Sequence, residues 1–494
     1  MLRIDHRGLN EGATKVVTLP VELWTDIVHY LPPTRRRDML RVSRLLHDIA
    51  LRFIFATIKI YLMHGEPGFY MLNTENERYV REISDYLLHR SWEMLHCIIT
   101  KPSFANVCKT LSVHAFSDGP LVFEQRTLAQ ALQSLPNLQS FHWFGDCPDF
   151  STVAAYLPKT LKSLRIQSLP ISSLGHLNRL NFFQPAIPFT YVREQKLDRI
   201  FAEWERGFGD PKDLVSVVEM NPIQELVVLS PHIGLLPIRL CNRLTQLDIC
   251  VPQDGGDLVG IDLFFRHAVN LESLSLVGYI EPNLFADLPK EPGVLPRLTS
   301  FRLSCEFWDL DSTEMHVPLL SEFLSRRPLL RRLYIRLPGV RLDVAMAIAT
   351  VIGKLEHLRV LGFHAGYEPL HETAALHLAD ALSPKIEALQ LALPWYSDLH
   401  VRTWYPLLVK LQQFPRLSFL HLFSNGEDPV PISPVELATD LEHLQLVGIQ
   451  RSLWTIDRED GQELEPKLWT PWSVKYCLPE DFHCADHAWL FRYH

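Results

Sequence analysis

The chain contains no paired C-x-x-C. Its eight cysteines are scattered at 97, 108, 147, 241, 250, 305, 477 and 484 of 494 residues. That pattern excludes a dense disulfide framework and suits a reducing compartment. No uninterrupted apolar run approaches the roughly 20 residues that a membrane helix needs. The first fifteen residues, MLRIDHRGLNEGATK, lack the apolar centre of a secretory signal. Positive charge is in deficit, with 48 Lys and Arg against 57 Asp and Glu and a net charge of −9, so no global footprint for nucleic acid is present. G-x-x-x-x-G-K-[ST], G-x-G-x-x-G and G-x-S-x-G in context are also missing, and with them the first requirement of nucleotide, dinucleotide and hydrolase chemistry. The expectation is a protein of the cytoplasm or nucleus that binds no membrane, needs no cofactor and is not an enzyme.

What is present is a repeat. The composition, 47% apolar and 21% charged, is that of a globular chain. From residue 108 onward an L-x-x-L-x-L template recurs: CKTLSVH at 108, LQSFHWF at 138, LKSLRIQ at 161, a weak copy from Leu177, IQELVVL at 223, LTQLDIC at 244 and LESLSLV at 271. It continues as LTSFRLS at 298, LRRLYIR at 330, LRVLGFH at 358, IEALQLA at 386, LSFLHLF at 417 and LEHLQLV at 441. From 223 to 441 the starts lie 21, 27, 27, 32, 28, 28, 31 and 24 residues apart, which brackets the leucine-rich-repeat length. Alternate residues of a strand face opposite ways, so the fourth and sixth template positions point into a core and the fifth points out. The segments between strands return over the convex side, with DVAMAIATVIGKLEHL at 343–358 reading as a full helix. The fold class predicted is α/β, a solenoid with a curved parallel sheet, an open concave face, and helices or coil on the convex side.

The domain reading places a flexible tail at 1–17, a helical module at 18–56 and a linking strand and helix at 57–106. The solenoid follows at 107–450, with an insertion near 183–215 whose helix would carry Leu197, Ile200, Phe201 and Trp204, and a C-terminal cap fills 451–494. In the cap, LWTIDRE and WSVKYC read as paired strands, and Trp454, Trp469, Trp472 and Trp489 as cover for the last repeat. Cys477, His483, Cys484 and His487 fall within eleven residues but lack the spacing of a zinc site, so the segment reads as an aromatic cap and no metal is assigned.

At the fifth position the array presents Ser112, His142, Arg165, Val227, Asp248, Ser275, Arg302, Tyr334, Gly362, Gln390, His421 and Gln445. Third and seventh positions add Phe144, Arg332, Arg336, Phe419 and Phe423. Arg and Tyr are favoured at binding hot spots, and a guanidinium cluster suits an acidic or phosphorylated peptide. The substrate-binding residues expected are therefore Arg302, Arg332, Tyr334, Arg336, His142, Phe144, Phe419 and His421.

Before the repeats stands Leu19 to Phe55. Leu23, Ile27 and Leu31 recur at helical spacing beside Trp24 and Val28. Pro32-Pro33 stops this helix and Thr34 can cap a second, while Leu45, Leu46, Ile49, Ala50 and Phe53 supply a third apolar face. Three short helices cannot bury so many large side chains among themselves. Arg35, Arg36, Arg37, Arg41 and Arg44 read as a solvated face that could also meet an acidic partner.

Leu19-Pro20, Glu22-Leu23, Ile27, Tyr30-Leu31-Pro32, Leu40 and Arg41-Val42-Ser43-Arg44, followed by Leu46-His47-Asp48-Ile49-Ala50, resemble an F-box. Tyr79 to Phe116 resembles the segment that follows the F-box in many basidiomycete fungal proteins. The resemblance implies a substrate receptor of a cullin ubiquitin ligase, docking on a Skp-type adaptor through Leu19, Pro20, Leu23, Ile27, Leu31, Leu40, Val42 and Leu46. An unidentified protein substrate would then bind the repeats. The alternative is a ligase-independent protein-binding scaffold.

Overall fold

A computed structural model describes residues 19–492 except 32, 65–76, 118–120, 148–149, 167–178, 182–210, 252–257, 259, 281–283, 285–287, 290, 292, 306–309, 367, 396–399, 426–427, 459–463, 476 and 483. Three helices open the described residues: α1 (Val21–Tyr30), α2 (Pro33–Met39) and α3 (Arg44–Ile54). Pro33 begins α2, so Thr34 lies inside the helix and does not cap it. A proline costs little in a first turn, whose N–H groups have no intrahelical partner. Ser43 caps α3, its side chain accepting from Leu46 N at 3.2 Å. Val28, Ile49 and Ala50 form a small core, with Trp24, Leu31, Met39, Leu40, Leu46, Phe53 and Ile54 packed around it.

Among the described residues, sixteen strands then form one sheet in strict chain order. They are β1 (Thr57–His64), β2 (Thr110–Ser117), β3 (Ser140–Cys147), β4 (Ser163–Arg165), β5 (Arg179–Asn181), β6 (Glu225–Leu229), β7 (Gln246–Val251) and β8 (Ser273–Gly278). The second half is β9 (Ser300–Cys305), β10 (Arg332–Arg336), β11 (Val360–His364), β12 (Ala388–Leu393), β13 (Phe419–Ser424), β14 (Leu446–Ile449), β15 (Ser452–Thr455) and β16 (Lys467–Leu468). Pairing is parallel from β1 to β14, and the last two steps are antiparallel. The weak copy at Leu177 is a true repeat, because Leu180 of β5 lies between Leu164 and Leu226 in register.

One backbone device recurs at almost every step. The carbonyl at the second template position accepts from two consecutive N–H groups of the next repeat, as Glu272 O does from Thr299 N at 2.9 Å and Ser300 N at 3.0 Å. It corrects two boundaries. Ala56 O accepts from Lys109 and Thr110 in the same way, so the solenoid begins at Phe55, and β1 belongs to its first repeat, inside the segment 57–106 read from the sequence as a link. The helix α4 (Glu77–Thr100) is that repeat's return, with Leu95 and Ile98 in the common core. At the other end Ser418 O accepts from Gln445 and Leu446, so the last repeat starts at Leu444 and not Leu441. The fifth position there is Gly448, and Gln445 leaves the concave row for the exposed turn.

A continuous core of fourth- and sixth-position side chains and returning helices runs from Ile58 to Ile456. The helix α5 (Leu342–Ile352), shorter than the sequence suggests, supplies Ala345, Ile348 and Ile352 to it. The helix of 197–204 lies outside the described residues, and of the insertion only the start of the helix Pro211–Met220 is described. No helix among the described residues is long and apolar enough to cross a membrane.

Candidate functional site

The concave wall is built by in-register stacking. Parallel pairing puts each template position of one repeat beside the same position of the next, so Arg302, Tyr334, Gly362, Gln390, His421 and Gly448 form one continuous row. The Arg302 guanidinium lies 4.2 Å over the Tyr334 ring. The Tyr334 hydroxyl meets His364 Nε2 at 3.1 Å and accepts from Gln390 Nε2 at 3.4 Å. Gly362, which the sequence reading put in the presented row, and Gly448, which takes the place it gave to Gln445, make room for neighbouring rings. A Cβ at Gly362 would lie 2.1 Å from the Tyr334 ring, and one at Gly448 would lie 2.3 Å from the His421 ring. At the N-terminal end, His114 is stacked between Tyr61 and Phe144, at 4.7 Å on both sides, and Arg165 lies 5.0 Å over Phe144.

This wall is not open. Arg302 and Tyr334 are each 1% exposed, Phe419 0%, His421 1%, Phe144 6%, and His142 and Arg336 8%. The expectation of a solvent-facing concave surface is corrected by the C-terminal segment, which folds back along it. After β16 the described residues include two short α-helices, α6 (Pro471–Lys475) and α7 (Ala485–Phe491), so the first four residues of WSVKYC are helical where a strand paired with LWTIDRE was expected, and Tyr476 lies outside the described residues. Trp489, Leu490 and Phe491 pack with Tyr334, Val360, Ala388, Phe419, Leu446 and Leu453. Leu478 packs with Tyr61, Met63, Phe116 and Phe144 at the opposite end of the sheet. The third template positions Val360, Ala388, Phe419 and Leu446 make an apolar stripe on the concave side, and the tail covers it. The broken period announced a terminal segment but not where it goes.

Polar anchors accompany the burial. Arg302 donates to the carbonyls of Trp489 and Leu490 and lies 4.7 Å over the Trp489 ring. Arg332 pairs with Asp486 at 2.5 Å, Arg492 with the fully buried Asp248 at 2.6 Å, and Lys59 with Asp481 at 2.5 Å. His487 Nε2 meets Ser418 Oγ at 2.8 Å, and the His421 ring stacks on Phe491 at 5.6 Å. Burial pushes His421 down to about 4, partly offset by its hydrogen bond to Gln450 O. Burial, then Arg165 and Lys59, pushes His142 down to about 3. Burial, reinforced by nearby cations, holds His114 and His364 well below the usual imidazole range. These rings are packed as neutral groups.

Of the four candidate zinc ligands, His483 lies outside the described residues. Cys484 is exposed, and His487 is engaged with Ser418 and tilted against the Phe419 ring. Burial and the Asp481 carboxylate push the Cys477 thiol up, away from the thiolate that metal binding needs. No metal-binding cluster occurs among the described residues.

The N-terminal module offers the second surface. Among its expected docking residues, Leu19 is 38% exposed, Leu23 47%, Ile27 42% and Val42 60%, and Pro20 is exposed too. Leu31, Leu40 and Leu46 instead pack against the module's own core. Val21, Tyr30 and Leu45, which were not among the expected docking residues, are also exposed. Among the arginines, Arg36 is structural: it donates to Leu31 O at 2.9 Å and His29 O at 2.5 Å and lies 5.6 Å over Phe53.

No protein-family model matches the chain, and no curated protein does. Among solved structures it is similar to the TLR13–ssRNA13 complex, at 16% identity and TM-score 0.31, over 70% of this chain and 43% of that one. It is also similar to the leucine-rich repeat-containing protein LegL7 from Legionella pneumophila, at 13% identity and TM-score 0.31, over 74% of this chain and 91% of that one. The chain thus spans less than half the length of the first. The repeat period, the sixteen-stranded sheet and the carbonyl device together make this chain a solenoid of leucine-rich-repeat type.

Proposed function

We propose that the chain is a protein-binding receptor subunit whose α1–α3 module docks on a Skp-type adaptor of a cullin ubiquitin ligase, while the repeat body carries a protein client. The observation that supports this is the division within the module: Val28, Ile49 and Ala50 are buried, whereas Leu19, Leu23, Ile27 and Val42 remain in solvent. Separately dispersed apolar side chains need no explanation, but several on one small module suit a protein interface. The resemblance of Leu19 to Ala50 to an F-box names the occupant. On this reading the chain performs no bond chemistry. It supplies proximity, raising the effective concentration of client lysines near the ligase's charged conjugating enzyme. Of the client-contacting residues expected from the sequence (Arg302, Arg332, Tyr334, Arg336, His142, Phe144, Phe419 and His421), the C-terminal segment packs on Arg302, Tyr334, Phe144, Phe419 and His421, while the Arg332 side chain stays 32% exposed beside Asp486, so a client reaches the covered ones when that segment leaves.

The test is the full-length chain with Leu23→Asp and Ile27→Asp, co-purified with a Skp-type adaptor and a cullin. Both side chains are exposed, so folding is retained while adaptor recovery falls by about tenfold or more, as expected for losing two anchors of an apolar interface. Undiminished adaptor recovery overturns the reading. Adaptor recovered without cullin moves the chain to the ligase-independent scaffold.

A further inference from the structure

The concave wall and the C-terminal segment are two separable layers. The repeat core runs from Ile58 to Ile456, and among the described residues none after Leu464 joins it. The tail instead buries its side chains in two other clusters, one around Tyr334, Phe419, Trp489 and Phe491 and one around Tyr61, Phe144 and Leu478. Each repeat is therefore closed by its neighbours without help from the tail. What the tail meets has the make-up of a recognition surface: an apolar stripe for an aromatic helix, a cation over aromatic rings, and charges of both signs at set places. Arg332 and Lys59 receive Asp486 and Asp481, and Asp248 receives Arg492.

We propose that the concave wall is a peptide-binding groove held closed by residues 477–492 of the same chain, and that it opens by exchange with a protein segment of the same chemistry. That segment is a short helix with an acidic residue in its first turn, an aromatic–aliphatic–aromatic run (here Trp489, Leu490 and Phe491) and a cation directly after it. The tail is an intramolecular competitor, so it sets the threshold that an external ligand must pass. Apparent affinity for such a ligand is reduced by the fraction of molecules with the groove empty. The inference uses no contact of the N-terminal module and stands or falls separately from adaptor docking.

The experiment uses the full-length chain and a fluorescent synthetic peptide of residues 477–494. A chain carrying Asp486→Arg and Trp489→Ala loses the Arg332 pair and the ring beside Arg302. It is expected to keep its main unfolding transition and to bind the wild-type peptide about tenfold or more tighter than the unsubstituted chain does. A peptide bearing Asp486→Arg is expected to bind that opened chain about tenfold or more weaker than the wild-type peptide. In a chain opened instead by Asp486→Ala and Trp489→Ala, whose own tail offers no charge at 486, adding Arg332→Glu reverses the order of the two peptides. Three results overturn the proposal: the opened chain keeps its transition and binds neither peptide; the unsubstituted chain binds as tightly as the opened one; or the two substitutions abolish the main transition, which would make the tail part of the repeat core.

Discussion

Replacing Gly362 by alanine tests the packing of the concave row most directly. The added Cβ would stand 2.1 Å from Tyr334 Cδ2 and 2.6 Å from Cε2, well inside van der Waals contact. The ring has little freedom to retreat, with Arg302 stacked on it at 4.2 Å and its hydroxyl held by His364 and Gln390. Overpacking of this kind costs about 1–3 kcal/mol, and the rigid surroundings place Gly362→Ala near the upper end. No positive φ is recorded at Gly362, so backbone strain adds nothing. In a Tyr334→Ala background the obstacle is gone, and Gly362→Ala becomes about 0.5 kcal/mol stabilising, because alanine lowers the entropy of the unfolded chain. Tyr334→Ala by itself loosens Arg302 and Trp489, but that cost is common to both arms of the cycle and cancels. Urea unfolding of the four chains is the assay. The expected coupling is about 3 kcal/mol, and additivity within about 0.5 kcal/mol would refute the account of the glycine as a seat for the ring.

Two further outcomes follow from the contacts described. Lowering the pH from 7.5 to 5 should destabilise the fold by about 2 kcal/mol for each of His142 and His421. Their folded values of about 3 and about 4 lie below the ordinary 6.5, so only the unfolded chain takes up protons in that window. His421→Gln should remove its share of the slope in urea titrations, and an unchanged slope would contradict the neutral, buried ring. In the capping box that opens the helix Pro434–Asp440, Glu436 N donates to Ser433 Oγ at 3.2 Å and Ser433 N donates to Glu436 Oε2 at 2.7 Å, so Ser433→Ala should cost about 1 kcal/mol in thermal melts. A loss below about 0.3 kcal/mol would show that this end frays without consequence.

The repeats were legible because their signal is local. Leucines at the first, fourth and sixth positions state the strand, its inward face and its spacing within a few residues, and even the degenerate copy at Leu177 aligns with its neighbours. The frame of the last repeat was ambiguous for the same reason: Leu441 and Leu444 both begin acceptable copies, and only the bonds from Ser418 O decide. The first repeat escaped because none of its three template leucines is a leucine: Phe55, Ile58 and Ile60 fill those positions, and Phe55 also ends the helical module. The site was less legible than the fold. Arg302, Tyr334 and His421 share one row of the sheet, but their burial depends on residues far along the chain, as with Arg302 and Trp489, which are 187 positions apart. One sequence signal did exist: glycine at the fifth position of the repeat following Tyr334, and again following His421, marks a ring leaning onto the next strand.

The curvature of the sheet explains why one short tail can serve both its ends. Val474 packs with Leu453 of β15, while Leu478, four residues later, packs with Tyr61 and Met63 of β1. Four residues span at most about 14 Å, so strands that are fourteen steps apart in the sheet approach each other across the concave side. The tail is then a tie between the first and last repeats as well as a filler of the groove. Lys59 with Asp481 holds it to β1, and Arg332 with Asp486 holds it to β10 in the interior of the sheet. Because the α1–α3 module leads directly into β1, the same tie governs where that module stands relative to the later repeats. Release of residues 477–492 would therefore do two things at once: uncover the row from Arg302 to His421, and free the end of the solenoid that carries α1–α3. A ligand that exchanges with the tail would have to replace both of its attachments to leave that geometry unchanged, whereas one that replaces only α7 would occupy the groove and leave Leu478 and Asp481 holding β1.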